Sequence, residues 1–291
     1  MDYSIKNDFL KVSINQKGAE LSSIFNQKNQ TEYLWQADSA VWGRHAPVLF
    51  PIVGQVKDGF YTYDGKNYQM SQHGFARDRE FEVLAEKEDS ISFQLQFDKE
   101  GLKIYPFKFS LKIEYKLVEN KLLMNYSVEN LSDDDMYFQL GLHPGFQCPI
   151  DDRLSFDDYY LEFNKPENLD RMLLEGPLLS DRVEENFVDG RQIKLNHELF
   201  DDDALIFEEF NSTSITLKSD KDDKSLEMGI EGFPLLGIWS KPGASAPYVC
   251  IEPWYGVADH VNGQQSYKEK KAIQFLSGKA IFEASSYVRV V

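Results

Sequence analysis

The sequence predicts an all-β, antiparallel fold, a large sandwich or barrel with few short helices. Apolar residues recur with a period of two over long stretches. Turn signals punctuate those stretches, and helical periodicity is scarce.

Residues 9–14 form the first candidate strand, and Ala37–Trp42 is short enough to be a single helical turn. Asp64-Gly65 marks a turn. Ile91, Phe93, Leu95 and Phe97 then alternate with polar residues, as do Phe107, Phe109, Leu111, Ile113, Tyr115 and Leu117. After the turn-like Glu119-Asn120 come Leu122, Met124, Tyr126 and Val128. Such rows describe half-buried strands with one face on a core. Asn130 to Asp134 reads as a loop, and 136–142 as the next strand. Asn168–Leu174 has the spacing of a second helical turn, and Asp189-Gly190 signals a turn. Strands are expected at 213–218, 226–231, 247–252 and 280–291, parted by turns at Lys221 to Asp223 and Pro242-Gly243. With no repeat, low-complexity tract or Pro/Ser-rich linker, residues 1–291 read as a single domain.

Composition narrows the function. Of 291 residues, 42% are hydrophobic and 14% aromatic, enough for a sizeable core. The net charge of −17 repels phosphate backbones and anionic headgroups, which disfavours nucleic-acid and membrane-surface partners. It leaves room for an anionic small substrate held by a few arginines. No stretch approaches the roughly 18 apolar residues of a spanning helix, and no signal peptide is visible at the start. Cys148 and Cys250 lie far apart without a metal-ligand spacing and read as free thiols, so the expected compartment is the cytoplasm. The acidic runs at Asp133–Asp135, Asp151-Asp152, Asp157-Asp158, Asp201–Asp203 and Asp220–Asp223 lack the EF-hand pattern and read as solvated loops, Asp203 excepted.

Two residues stand out chemically. In 136–142, Phe138, Leu140 and Leu142 share one face, which leaves Gln139, Gly141 and His143 on the other, as on a cleft floor. A strand-end histidine bonded to a loop carbonyl fits the same spacing. Glu252 ends the apolar run Tyr248-Val249-Cys250-Ile251, beside Pro253 and Trp254. There it is either a desolvated base or half of a structural ion pair. Arg44 and Arg77 offer planar forks suited to sugar hydroxyls or phosphate, or to a salt bridge. Trp42, Phe75, Trp239 and Trp254 are either core or stacking surfaces for a ligand. No GxSxG elbow, phosphate-binding loop or dinucleotide fingerprint occurs, and no histidine pair has local metal spacing.

Taken in order, Arg44 with Pro47-Val48-Leu49-Phe50-Pro51, Gln72-His73-Gly74-Phe75-Ala76-Arg77, Leu142-His143-Pro144-Gly145-Phe146 and Ile251-Glu252-Pro253-Trp254 form a recognisable set. The chain resembles the aldose 1-epimerase (galactose mutarotase) superfamily, in particular the mutarotase-related proteins encoded with bacterial lactose operons. The resemblance spans essentially the whole chain. It implies a large antiparallel β-supersandwich with an open sugar cleft and no metal or organic cofactor. It makes Glu252 the base that takes the C1 hydroxyl proton and His143 the acid that protonates the ring oxygen. His73 would bond near that oxygen, Arg44 would hold sugar hydroxyls, and Asp203 would bind a ring hydroxyl. Relatives acting on hexose 6-phosphates carry an HGFAR-like segment, so Arg77 or Arg79 is where a phosphate would be met.

Two other functions suit the same residues. A non-catalytic carbohydrate sensor would keep the aromatic and arginine contacts without accelerating ring opening. A glycoside hydrolase would need two carboxylates flanking one bond, with only Asp203 available to partner Glu252 and no task for His143.

Overall fold

A computed structural model describes residues 1–291 throughout. The expectation of an all-β architecture is met: every pair of strands is antiparallel. The helices are six 3-10 turns of three or four residues, and none is long and apolar enough to cross a membrane. Residues Ala37–Trp42 supply one helical turn, with the Val41 and Trp42 amides both donating to Asp38 O.

A large 15-stranded sheet dominates. Its path runs Val48–Leu49, Leu140–Leu142, Tyr248–Tyr255, Leu235–Trp239, Leu205–Glu208, Tyr160–Glu175, Ser214–Lys218, Ser225–Gly229, Ile281–Val290, Lys121–Asn130, Phe109–Val118, Ser90–Gln96, Glu82–Glu86. The amino-terminal strands Asp2–Lys6, Leu10–Asn15, Glu20–Asn26 and Thr31–Glu32 form a second sheet. A core of 66 buried residues extends from Ile5 to Val290. The alternation seen in the sequence sets its register: Leu111 faces Val128, Ile113 faces Tyr126, Tyr115 faces Met124 and Leu117 faces Leu122, all buried. Glu119-Asn120 is the two-residue loop between these strands. Asp64-Gly65 likewise closes a tight hairpin, with both residues at positive φ.

Three local expectations are corrected. Asn168–Leu174 is not a helical turn. It belongs to the strand Tyr160–Glu175, which pairs with Leu178–Lys194 in a long ribbon. Much of this ribbon is exposed and its pairing shifts register three times, so no simple alternation is written into it. Asp189-Gly190 is no turn either: Gly190, at φ 108°, lies inside the second strand of the ribbon, opposite Glu167. The stretch 136–142 splits at Gln139. Met136–Phe138 pairs with Gln274–Leu276, while Leu140–Leu142 enters the large sheet.

Gln139 explains the split. Its amide N–H donates to Pro51 O, its side-chain carbonyl accepts from Val53 N, and its side-chain amide donates to Val257 O and Lys271 O. One fully buried amide therefore satisfies backbone groups from three separate segments. Two of these segments, through Val53 and Val257, line the cavity described next.

Candidate active site

Residues Tyr248–Trp254 are buried without alternation, because this strand lies deep in the large sheet and is covered on both faces. Its period of two still aims Cys250, Glu252 and Trp254 to one side. Glycines stand opposite all three: Gly145 pairs with Cys250, Gly237 with Glu252 and Gly141 with Trp254. A Cβ at Gly237 would lie 2.3 Å from the Trp254 ring, and one at Gly141 would lie 2.8 Å from it, so the indole rests on a bed only glycine permits. Gly237→Ala is expected to destabilise the fold by about 1–3 kcal/mol through overpacking. The check is a lower urea midpoint at unchanged m-value; an unchanged midpoint would mean the indole has another place to go.

Beside this strand, Leu140–Leu142 delivers His143 to a cavity of about 430 Å³, within the roughly 300–1,000 Å³ of small-molecule sites. His143 and Glu252 line it together with His73, Arg77, Asp203, Trp42, Trp239 and Trp254. His143 Nε2 lies 3.2 Å from Glu252 Oε2, and the two residues are 8% and 1% exposed. Trp42 stacks on the His143 ring at 5.1 Å between centroids, and Trp239 meets it edge-on at 5.6 Å. Neither His143 Nδ1 nor Glu252 Oε2 has a hydrogen-bond partner.

Burial favours the neutral form of both groups. It pushes the Glu252 carboxyl well above the usual carboxylate range, with the nearby Asp203 charge adding to the rise and the Trp254 indole opposing it. It pulls His143 down to about 3, helped by the Arg77 and Arg44 charges. Burial thus biases both groups toward their neutral forms, with one acidic proton carried by the pair. His73 is also driven well below the usual histidine range, by burial, then by His143 and the two arginines. Its Nδ1 accepts from Gly54 N at 3.1 Å, while its own amide donates to Gly54 O at 2.8 Å. That fixes the tautomer: Nε2 carries the proton and serves as a donor.

These geometries converge with comparisons to known proteins. A family model described as Aldose 1-epimerase matches residues 1–274. The chain belongs to the aldose 1-epimerase family. It is similar to Protein LacX, chromosomal, of Lactococcus lactis subsp. lactis, at 31% identity over 94% of both chains. Among solved structures, a galactose mutarotase related enzyme from Lactobacillus acidophilus superposes with a TM-score of 0.95 at 38% identity, over 100% of this chain and 97% of that one. A galactose mutarotase-like protein from Lactobacillus casei matches equally well, with a TM-score of 0.95 at 33% identity over the whole of both chains. The fold is thus the galactose mutarotase-like antiparallel supersandwich that the ordered motifs implied.

Within this aldose 1-epimerase framework, five of the six sequence-singled residues line one cavity: His143, Glu252, His73, Arg77 and Asp203. Arg44 does not line it; its guanidinium donates to Asp78 at 2.9 Å. Arg77 donates to Gln72 O at 2.7 Å, and its buried Nε has no partner. Arg79 pairs with Asp98 and lies outside the cavity lining. Trp42, Trp239 and Trp254 line the cavity, whereas Phe75 is core, packed on Phe50, Tyr105 and Phe109. Both cysteines are free and buried, as expected. One acidic run departs from the solvated-loop expectation at Asp151, which is buried and bonded to Arg153.

Sequence reasoning missed two features of the site. Leu174 and Pro177, from the tip of the exposed ribbon, reach the cavity wall, a placement that no local pattern encodes. Cys250 lies with His143 and Glu252 so that the three potential ligand atoms are all within 4.8 Å of one another. The signal for it was the i, i+2 spacing of Cys250 and Glu252; the partner across the sheet is visible only in three dimensions.

Proposed function

We propose that the protein is an aldose 1-epimerase that interconverts the α and β anomers of a hexose, with Glu252 as base and His143 as acid. The observation that carries the reading is the 3.2 Å approach of His143 Nε2 to Glu252 Oε2 on the wall of a sugar-sized cavity. The hydroxyl oxygen and the ring oxygen of a cyclic aldose are bonded to the same carbon. An acid and a base that serve them must stand side by side, not across a bond as in a glycosidase.

In the form of the pair that has its proton on His143 and Glu252 ionised, Glu252 takes the proton of the C1 hydroxyl, the C1–O5 bond breaks, and O5 takes a proton from His143. C1 is then an aldehyde; rotation about C1–C2 and the reverse proton transfers give the other anomer. The pair holds one proton at the start and one at the end, and no electrons are gained or lost. The step accordingly calls for no redox or group-carrying cofactor. The His73 Nε2–H donor, fixed by Gly54, suits the ring oxygen, and the Asp203 carboxylate suits a ring hydroxyl. Trp42, Trp239 and Trp254 offer faces for the apolar side of the ring. This reading takes residues 1–291 as one unit, supported by the continuous core, and two free buried thiols suit a reducing cytoplasm.

The test is polarimetry of freshly dissolved α-glucose and α-galactose. A rate no faster than buffer on these sugars and on their 6-phosphates would refute the enzyme and favour a sugar sensor. The phosphosugar arm is included because the Arg77 Nε, 3.9 Å from Asp78, is buried beside the cavity without a hydrogen-bond partner, a fitting donor for an anion.

The pH profile follows from the one-proton pair. A second proton disables the base, and because His143 is pushed down to about 3, it enters only well below the ordinary histidine range. Loss of the shared proton disables the acid, and the raised Glu252 delays that loss. Initial rates corrected for buffer should stay flat across roughly pH 5 to 7, with the limbs belonging to the pair as a whole. An acid limb centred on the usual histidine value would contradict this assignment.

A further inference from the structure

We propose that His143, Cys250 and Glu252 form a three-ligand site for one divalent, thiophilic ion of the zinc and cadmium class, and that its occupation blocks anomer interconversion. The blocking clause rests on the acid/base reading above; the site itself does not. The three ligand atoms, an imidazole nitrogen, a thiol sulfur and a carboxylate oxygen, lie within 4.8 Å of one another, and all three residues are buried. Metal–ligand bonds of about 2.0–2.1 Å at a tetrahedral angle would place nitrogen and oxygen about 3.3 Å apart. The observed His143 Nε2 to Glu252 Oε2 separation is 3.2 Å. Glu252 Oε2 has no hydrogen-bond partner although it is buried, so a ligand atom is free to be used.

Charge selects the ion. A thiolate and a carboxylate together cancel a divalent cation, which leaves a neutral cluster in a desolvated setting, where a net charge is costly. Calcium and magnesium want six or more oxygens, and this trio supplies one carboxylate; sulfur with imidazole suits zinc or cadmium. His143 and Glu252 face the cavity, which gives the ion an entry path and leaves a fourth position open. The ligands bind as thiolate, carboxylate and neutral imidazole, so protons leave as the ion enters. With both the acid and the base ligating the ion, neither can exchange a proton with a sugar.

The experiment is a titration of the full-length protein with cadmium chloride, read by the ultraviolet thiolate-to-cadmium charge-transfer band and by calorimetry in two buffers of different ionisation enthalpy. The expected result is one cadmium per chain with release of protons. Cys250→Ser should abolish the band, and Glu252→Gln should weaken binding by at least about tenfold, while Cys148→Ser changes neither. Cys250→Ala, which keeps the apolar packing, guards against a folding defect and should behave as the serine variant does. Absence of the band in the wild type, its survival in Cys250→Ser, or its indifference to Glu252→Gln overturns the site. Polarimetry should show cadmium slowing the wild type and sparing Cys250→Ser. Cadmium binding without slowing of an active wild type overturns the blocking clause. A wild type inactive on every sugar refutes the anomerase reading, and the cadmium band still decides the site.

Discussion

Glu252→Gln is expected to lower the catalysed rate of anomer interconversion by roughly 10³-fold while the chain stays folded. The amide keeps the volume and shape of the carboxylate in a position that is 1% exposed, and it removes the proposed acceptor of the C1 hydroxyl proton. Burying a carboxylate beside Asp203 already disfavours its charged form. The neutral amide therefore costs the fold little, and a urea midpoint at or above that of the wild type should accompany the loss of rate. His143→Gln should lose a comparable factor from the acid side. Because the two groups share one proton cycle, the double variant should be no slower than the slower single one. Polarimetry on α-glucose and α-galactose, with the buffer rate subtracted, supplies the numbers. A Glu252→Gln rate within a few-fold of the wild type would remove Glu252 from the chemistry.

The site was legible in the sequence to the extent that backbone periodicity governs side-chain direction. Alternation set the rows Leu111 to Leu117 and Leu122 to Val128 on the core, and the structure pairs them in that order. The same rule put His143 at a strand end and Glu252 in an apolar strand, next to each other once the strands pair, although that strand runs on to Tyr255 and Glu252 stands within it instead of at its close. What stayed hidden depends on contacts between distant segments. The ribbon Tyr160–Lys194 buries little of either face and slips register, so its Leu169, Met172 and Leu173 spacing imitates a helix. Phe75 sits in a motif beside His73, yet its ring turns into the core while the histidine, at φ 63°, turns toward the cavity. Arg44 carries the planar fork expected of a sugar clamp, but Asp78, 34 residues later, engages it. Gln139 looked like part of a cleft floor. It proved to be a fully buried anchor for three loops, a role that depends on four backbone groups no local pattern reveals.

Behind the cavity wall, Asp259→Ala is expected to cost about 3–5 kcal/mol, the usual penalty for breaking a buried ion pair by removing one partner. Asp259 and Lys270 are both almost fully buried and bonded to each other. The aspartate does more than neutralise the lysine. Its carboxylate also accepts from Lys57 N at 2.9 Å, its own amide donates to Gln55 O, and its carbonyl accepts from Leu179 N. It thus ties the segment before His73 and the ribbon tip to the cavity wall at Ala258. Removing it leaves an ammonium group with no counter-charge in a desolvated place, where burial already holds Lys270 below the ordinary lysine range. The sign of the pH dependence identifies this cause. In the variant, the native state sheds the Lys270 proton at a pH where the unfolded chain still binds it. The unfolded state then carries more protons, and stability rises with pH until the unfolded lysine also deprotonates. Urea unfolding of Asp259→Ala at neutral and mildly alkaline pH should therefore show a deficit that shrinks as the pH rises. A double variant, Asp259→Leu with Lys270→Met, removes both charges and should recover most of the loss, short of the one side-chain contact to Lys57 N. A deficit that is independent of pH and unrelieved in the double variant would assign the effect to the lost bond from Lys57 N instead of the ion pair.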